Sequence, residues 1–256
     1  MLLAIDVGNT QTVYGLWDGA HWVHVWRRAT RAEETEDEVA VWLCGAFDLA
    51  NIPFRAESMI VATVVPAMKR SLRRLGERHL QVEPKFLERG DSVGIPVKYD
   101  PPHGVGADRL ANALAAIALG SLPAVVVDLG TATTFDVISA QGEYLGGAIM
   151  PGFEVSASAL AGRTARLPSV DIAPPEKVIG RTTNDAIRSG IVLGQIGAID
   201  RILEDISEEL RSEINVIVTG GLGQVVPELS KYEMTYEPNL TLDGLVIAEK
   251  RLRPKD

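Results

Sequence analysis

Two short stretches place acidic, glycine and hydroxyl residues in the same spacing: LLAIDVGNTQTVYGL from Leu2 and AVVVDLGTATTFDVI from Ala124. Each is an apolar run that ends in Asp-x-Gly-x-x-x-Thr. Asp6 aligns with Asp128, Gly8 with Gly130 and Thr12 with Thr134, and the copies are separated by close to half the chain. Glycine lets backbone approach a ligand closely. Successive N–H groups together with Ser/Thr hydroxyls can cradle phosphate oxygens. An aspartate at a strand end can hold a cation or its water shell. One copy alone reads equally well as a turn, because Asp and Gly are ordinary turn formers. Two copies, each after a buried strand, point to a phosphate clamp built from two related lobes.

A third acidic residue stands outside the repeat. YDPPHGVGADRL (99–110) is a Pro/Gly-rich loop running into an Ala-rich helix, with Asp108 at its start. An aspartate there can cap the helix, or accept a proton from a substrate hydroxyl. N–H groups near Gly106 and Ala107 can orient an anionic substrate. Arg109 can bind a carboxylate or phosphate, or form an ion pair. NVIVTGGLGQVV (215–226) adds a strand, two glycines and a helix start, where a nucleoside could lie against bare backbone. His103 has no partner in sequence and reads as a loop histidine.

The elements that must position these residues follow from periodicity. Strands are expected at Leu2–Ile5, Thr12–Trp17, His21–Arg27, Ser58–Thr63, Ala124–Val127 and Asn215–Thr219, with a second strand between the DLGTATT turn and Gln141-Gly142 and short extended pieces at Phe86–Leu87 and Val93–Val97. Helices are expected at Glu36–Ala50, Pro66–His79, Asp108–Leu119, Phe153–Leu160 and Thr241–Arg251, with one long helix or two abutting ones over Thr183–Leu210. Asp18-Gly19 and Gln141-Gly142 read as hairpin turns. Residues 162–180 read as loop. Gly190, Gly194 and Gly197 open one face of the long helix at a cost of roughly 1 kcal/mol each against Ala. That predicts tight packing there, within a lobe or across a dimer. Arg163 and Arg166 are open to interfacial or phosphate-facing roles.

The chain has 256 residues, 46% hydrophobic and 23% charged, with a net charge of −9. This balance argues against a broad nucleic-acid or membrane surface. The single cysteine, Cys44, is expected to be a buried structural thiol, with no disulfide or C-x-x-C motif available. Asp6 interrupts the N-terminal apolar run, so no secretory signal is read and a cytoplasmic protein is expected.

The three glycine-bearing pieces resemble the actin, sugar-kinase and heat-shock-ATPase superfamily. DVGNT, GADR at 106–109, DLGTATT, GGAIMPG at 146–152, TARLP at 164–168 and T-x-x-A-I-x-S-G at 183–190 resemble, in order, the motifs of type III pantothenate kinases. The resemblance implies an α/β chain of two ribonuclease-H-like lobes with a nucleotide cleft between them. The lobes are expected at residues 1–112 and 113–256. It also implies γ-phosphoryl transfer from ATP, with Mg2+, to the 4′-hydroxyl of pantothenate, in a homodimer that uses a monovalent cation (K+ or NH4+).

Residue by residue, the resemblance makes Asp108 the catalytic base. Asp6, Val7, Gly8, Asn9, Thr10, Gln11, Thr12, Val13 and Thr131 would contact ATP. Asp128 would be the monovalent-cation ligand. Tyr99, Gly106, Ala107, Asp108, Arg109 and Thr183 would contact pantothenate. A packed loop tyrosine and a helix N-cap are the plain alternatives for Tyr99 and Thr183. A kinase for another small alcohol, or an ATP-binding accessory module of the same fold, remain the rival functions.

Overall fold

The opening apolar run becomes strand β1 (Leu2–Val7), which turns back as β2 (Gln11–Trp17) and β3 (Trp22–Ala29). The computed structural model describes residues 1–164 and 166–252, so Ala165 of the TARLP stretch lies outside the described residues. After the β-meander come α1 (Glu36–Leu49), β4 (Ser58–Thr63), α2 (Met68–Arg74), β5 (Lys85–Phe86) and α3 (Ala107–Leu119). The pattern then repeats as β6 (Ala124–Leu129), β7 (Ala132–Ile138), β8 (Tyr144–Pro151), α4 (Phe153–Gly162), α5 (Thr183–Leu210), β9 (Asn215–Gly220), α6 (Val226–Leu229) and β10 (Met234–Tyr236). Helix α7 (Leu240–Arg251) closes the chain.

The sheets carry the duplication. One has the order β3-β2-β1-β4-β5, and the other, read in the same sense, β8-β7-β6-β9-β10. In each, the central strand pairs antiparallel with its hairpin partner and parallel with the strand on its other side. The chain divides into two compact units, residues 1–118 with 240–256, and residues 119–239. Sequence patterning ended the first lobe at residue 112 and left the last helix with the second. Instead α7 packs on β1 and β4.

Each unit has its own core. Leu3, Ile5 and Val7 alternate onto one face of β1 and meet Val39, Leu43 and Phe47 of α1, the i, i+4, i+8 stripe expected of an amphipathic helix. Thr35 caps α1 and forms a reciprocal capping box with Glu38, which satisfies N–H groups left over at the helix start. In the second unit Val125, Val127 and Leu129 pack against Val192, Ile196, Ile199 and Leu203 of α5.

Several local expectations need correction. Cys44 is exposed, because the buried stripe of α1 runs through its neighbour Leu43. The extended piece expected over Val93–Val97 is replaced by a 3-10 turn at Asp91–Val93. There Val93 and Ile95 both donate their N–H groups to the Gly90 carbonyl (3.1 and 2.8 Å), so neither is free for a ladder. The Pro66–His79 helix starts at Met68 and widens to a π turn over Leu75–Leu80. The glycine-rich GGLGQ segment yields only the short α6. Strands β8 and β10 were not expected.

Gly244 of α7 lies against α3, where a Cβ would stand 1.9 Å from the Ala111 carbonyl oxygen. The same two helices share a hydrogen bond between Thr241 Oγ1 and Asn112 Oδ1 (2.8 Å). Gly45, on the exposed side of α1, has nothing within 4 Å of that position. Gly244→Ala is therefore expected to destabilise by about 1–3 kcal/mol, whereas Gly45→Ala stabilises by about 0.5–1 kcal/mol. Urea unfolding of the two variants checks the order, and the reverse order would refute this packing.

Candidate active site

The first acidic loop begins where β1 ends. Asp6 pairs with Val13 across the hairpin and with Ala62 in the parallel direction, and Val7 pairs with Thr12 and Thr63. Residues 8–11 make the turn, closed by the Gly8 N–H donating to the Gln11 carbonyl (3.0 Å). Asn9, Thr10 and Gln11 are exposed, whereas Thr12 is buried. Thr30, just beyond β3, fastens this turn. Its N–H donates to the Thr10 carbonyl (2.9 Å) and its hydroxyl to the Gly8 carbonyl (2.7 Å). Sequence reasoning missed Thr30, since nothing in its neighbourhood marks it as a partner of a loop about twenty residues earlier.

The second loop is one residue shorter. Leu129 pairs with Thr133, and residues 130–132 make the turn, closed by the Gly130 N–H on the Ala132 carbonyl (3.1 Å). The counterpart of Thr12 is thus Thr133, not Thr134, because the deleted residue shifts the register while equal spacing in sequence conceals it. Both threonines are buried. Gly152 and Gly220 box the loop in. A Cβ on Gly152 would fall 2.3 Å from the Gly130 carbonyl oxygen, and one on Gly220, whose φ is +91°, 2.6 Å from that of Leu129. Gly220 therefore serves as close-packed backbone beside Asp128, and Gly221 has open space beside it.

Asp108 is the second residue of α3, inside the first turn rather than at the cap. The positive end of the helix favours a carboxylate there. Its Oδ1 accepts from the Arg109 N–H (2.8 Å). Gly106 makes this conformation possible, since a Cβ would lie 2.5 Å from Asp108 Oδ1. The same position is 3.7 Å from Val64 Cγ1, and the Val64 N–H donates to the Val7 carbonyl (3.1 Å). Gly106 and Asp108 thereby stand at the carboxyl ends of β1 and β4, the edge where parallel sheets bind ligands. Burial holds the Asp108 carboxyl above its ordinary 3.8, opposed by the Arg109 N–H and guanidinium. Arg109 itself is buried.

The remaining candidates are distributed as follows. Ala107 is the buried first residue of α3, and the Tyr99 ring edge is 3.6 Å from where a Gly104 Cβ would stand. His103 is exposed on a 3-10 turn, Pro102–Gly104. Asp128 and Thr131 belong to the second unit, as does Thr183, which is the first residue of α5. The cap is Thr182, whose hydroxyl accepts from the Asp185 N–H (3.2 Å). No group of three or more His, Cys, Asp or Glu residues gathers into a metal-binding set among the described residues. The arrangement suits Mg2+ carried in on phosphates, which needs only one or two protein carboxylates.

Twin five-stranded sheets, each with an acidic glycine loop at the end of its central strand, define the two-lobed actin, sugar-kinase and heat-shock-ATPase fold. Solved structures share that fold. A conserved Baf-family protein of Campylobacter jejuni aligns over 97% of both chains with a TM-score of 0.60 and 21% identity. A 2-dehydro-3-deoxygalactonokinase-like protein of Sinorhizobium meliloti aligns over 100% of this chain and 98% of its own, with a TM-score of 0.59 and 14% identity. The model of the type III pantothenate kinase family matches residues 2–205. A relative from Koribacter versatilis (strain Ellin345) named type III pantothenate kinase is 43% identical over 262 residues, covering 98% of this chain and 96% of that protein. The chain belongs to the type III pantothenate kinase family.

The buried carboxyl has a consequence for stability. With a raised native pKa, Asp108 opposes folding wherever the unfolded carboxyl is ionised. The penalty is absent below the ordinary 3.8 and grows as pH rises through the native value. Asp108→Asn is accordingly expected to melt at a higher temperature than the parent at pH 8, with the difference vanishing near pH 3.5. Thermal unfolding across that range checks it, and a variant less stable at pH 8 would contradict burial as the cause.

Proposed function

We propose that this protein transfers the γ-phosphoryl group of ATP to the 4′-hydroxyl of pantothenate, giving 4′-phosphopantothenate, the first step towards coenzyme A. The observation that carries this reading is Asp108: a carboxyl whose proton affinity is raised by burial, held at the carboxyl ends of β1 and β4 beside the first glycine loop. A raised pKa makes a carboxylate a better proton acceptor. As the substrate oxygen bonds to the γ-phosphorus, Asp108 takes the hydroxyl proton, and the bond to the β–γ bridging oxygen breaks to release ADP. Phosphoryl transfer otherwise needs positioning and charge stabilisation.

The loop from Asp6 through Gly8, Asn9, Thr10 and Gln11 to Val13 holds the ATP phosphates, with Asp6 facing the water shell of Mg2+. Its exposed residues and short closure support that role. Thr131 meets ATP from the second loop. Asp128 binds K+ or NH4+. A Gly130 Cβ position 3.8 Å from Asp128 Oδ1 leaves this carboxylate beside bare backbone, whose carbonyls are hard oxygen donors of the kind such cations take. When bound, the divalent and monovalent cations neutralise charge on the phosphates. Tyr99, Gly106, Ala107 and Arg109 position pantothenate, Arg109 by pairing with its carboxylate, and Thr183 is a further contact.

The protein acts as a cytoplasmic homodimer. Gly190, Gly194 and Gly197 have nothing within 4 Å of their Cβ positions, so among the described residues no close packing offsets the three helix glycines. Leu160, Ala186, Ile187 and Ile191 line a groove together with Gly190, which supports a second copy as the covering surface. Among the described residues no helix is long and apolar enough to cross a membrane.

Purified protein given MgATP and K+ is expected to release ADP only when pantothenate is added, with a product of one phosphate on the alcohol. Stimulation by another small alcohol instead would overturn the substrate. Asp108→Asn is expected to lower kcat by about 10²–10⁴-fold while MgATP binding by calorimetry stays within a few-fold. In the parent, kcat/KM should fall on acidification at a higher pH than an ordinary carboxylate would give, since burial raises Asp108.

A further inference from the structure

The two glycine loops descend from one pattern, yet they are fastened by different means. In the first unit Gln11 pairs with Ala29, so Thr30 is the next residue along the neighbouring strand. In the second, Ala132 pairs with Pro151, so the matching position is Gly152. Both donate the same backbone bond, Thr30 N–H to the Thr10 carbonyl (2.9 Å) and Gly152 N–H to the Thr131 carbonyl (3.0 Å). The side chains differ completely. A Cβ at Gly152 would meet the Gly130 and Thr131 carbonyl oxygens at 2.3 and 2.6 Å. The longer first loop leaves room there, and the Thr30 hydroxyl fills it.

The protons in that space can be assigned. A threonine hydroxyl has one donor hydrogen. Thr30 Oγ1 lies 2.7 Å from the Gly8 carbonyl oxygen, which can only accept. It also lies 2.8 Å from Thr12 Oγ1. Thr30 therefore donates to Gly8 and accepts from Thr12. The Thr12 proton is committed to Thr30, and Thr12 is only 1% exposed. In the second unit the partner hydroxyl is missing, and the buried Thr133 hydroxyl has no hydrogen-bond partner among the described residues. The chain Thr12 to Thr30 to Gly8 thus exists on one side of the duplication only.

We propose that Thr30 is a positioning residue for ATP: through Gly8, Thr10 and Thr12 it holds the first loop in the shape that receives the phosphates, and Thr12 serves this brace instead of touching the nucleotide. The proposal rests on the reading of this loop as the phosphate site. Three hydrogen bonds converge on Thr30, from backbone and side chain, across the turn whose outer residues are exposed. Without the hydroxyl, the Gly8 carbonyl and Thr12 hydroxyl lose their partners and the turn loses its fixed point at its glycine. The nucleotide, bound by this turn, feels that loss, and pantothenate, placed by the loop around Asp108, does not.

The test is steady-state kinetics on Thr30→Val, Thr30→Ser, Thr12→Val and the Thr12→Val/Thr30→Val pair, with binding of a non-hydrolysable MgATP analogue measured by calorimetry. Thr30→Val is expected to raise KM for ATP and weaken analogue binding by about tenfold, with KM for pantothenate unchanged within about twofold. Thr30→Ser should restore most of the loss. Thr12→Val should weaken ATP binding too, and the pair should be no worse than Thr30→Val alone, because both changes remove one linkage. A parent-like KM for ATP in Thr30→Val overturns the brace, as does an equal rise in both KM values. Multiplying losses in the pair overturn the assignment of Thr12 by showing that it meets the nucleotide itself. If Thr30→Val does not fold, Thr12→Val and Thr30→Ser carry the same comparison. Asp6→Ala separates the two readings. If it leaves analogue binding intact, the loop is not the phosphate site. If it abolishes binding while Thr30→Val does not weaken it, only the brace fails.

Discussion

Parallel pairing of each central strand with the strand beside it is the constraint on which the rest depends. β1 runs beside β4 and β6 beside β9 in full register, so that Val7 lies next to Thr63 and Leu129 next to Gly220. Parallel neighbours cannot be joined by a tight turn and must end on the same side. Their carboxyl ends therefore open together, and chain leaving them is free to form loops. Asp6 and Asp128 occupy those ends. The Val64 N–H on the Val7 carbonyl extends the pairing by one step and sets the floor on which Gly106 and Asp108 stand. A hairpin alone would supply an acidic turn but no such edge.

Bare backbone then decides what fits at that edge. Gly106 leaves room for the Asp108 carboxylate, and Gly152 and Gly220 press against the second acidic loop closely enough that no side chain could replace them. These close contacts explain why an otherwise apolar design can present charged groups at fixed positions. Burial of Asp108 raises its proton affinity, while the Arg109 N–H and charge keep the ionised form accessible. Of these opposing effects burial is the larger, so the carboxyl's proton affinity stays raised.

Duplication did not preserve symmetry. The two loops differ by one residue in length; the hydroxyl brace joins Thr12 to Thr30 in the first unit, whereas Thr133 has no such partner among the described residues. The difference in length also changes which threonine faces which neighbour, since a single-residue slip reverses every side chain in a strand. Ten strands among the described residues share one topology in two matching sheets, but the loops at the ends of the central strands differ in length and in how they are fastened.

Local chemistry was legible in the amino-acid sequence: the strand and helix types, the paired acidic glycine turns, the lone Asp108 in its Gly-rich loop, and the motif order that belongs to the type III pantothenate kinases. These depend on neighbours within a few residues, where periodicity, glycine and proline act directly. Tertiary structure alone decided the rest. Thr30 reaches the first loop only through the β2–β3 register, and α7 returns to the first unit only by packing on β1, β4 and α3. Each is set by pairing between distant segments, and the energy of such pairing lies in geometry that no local spacing encodes.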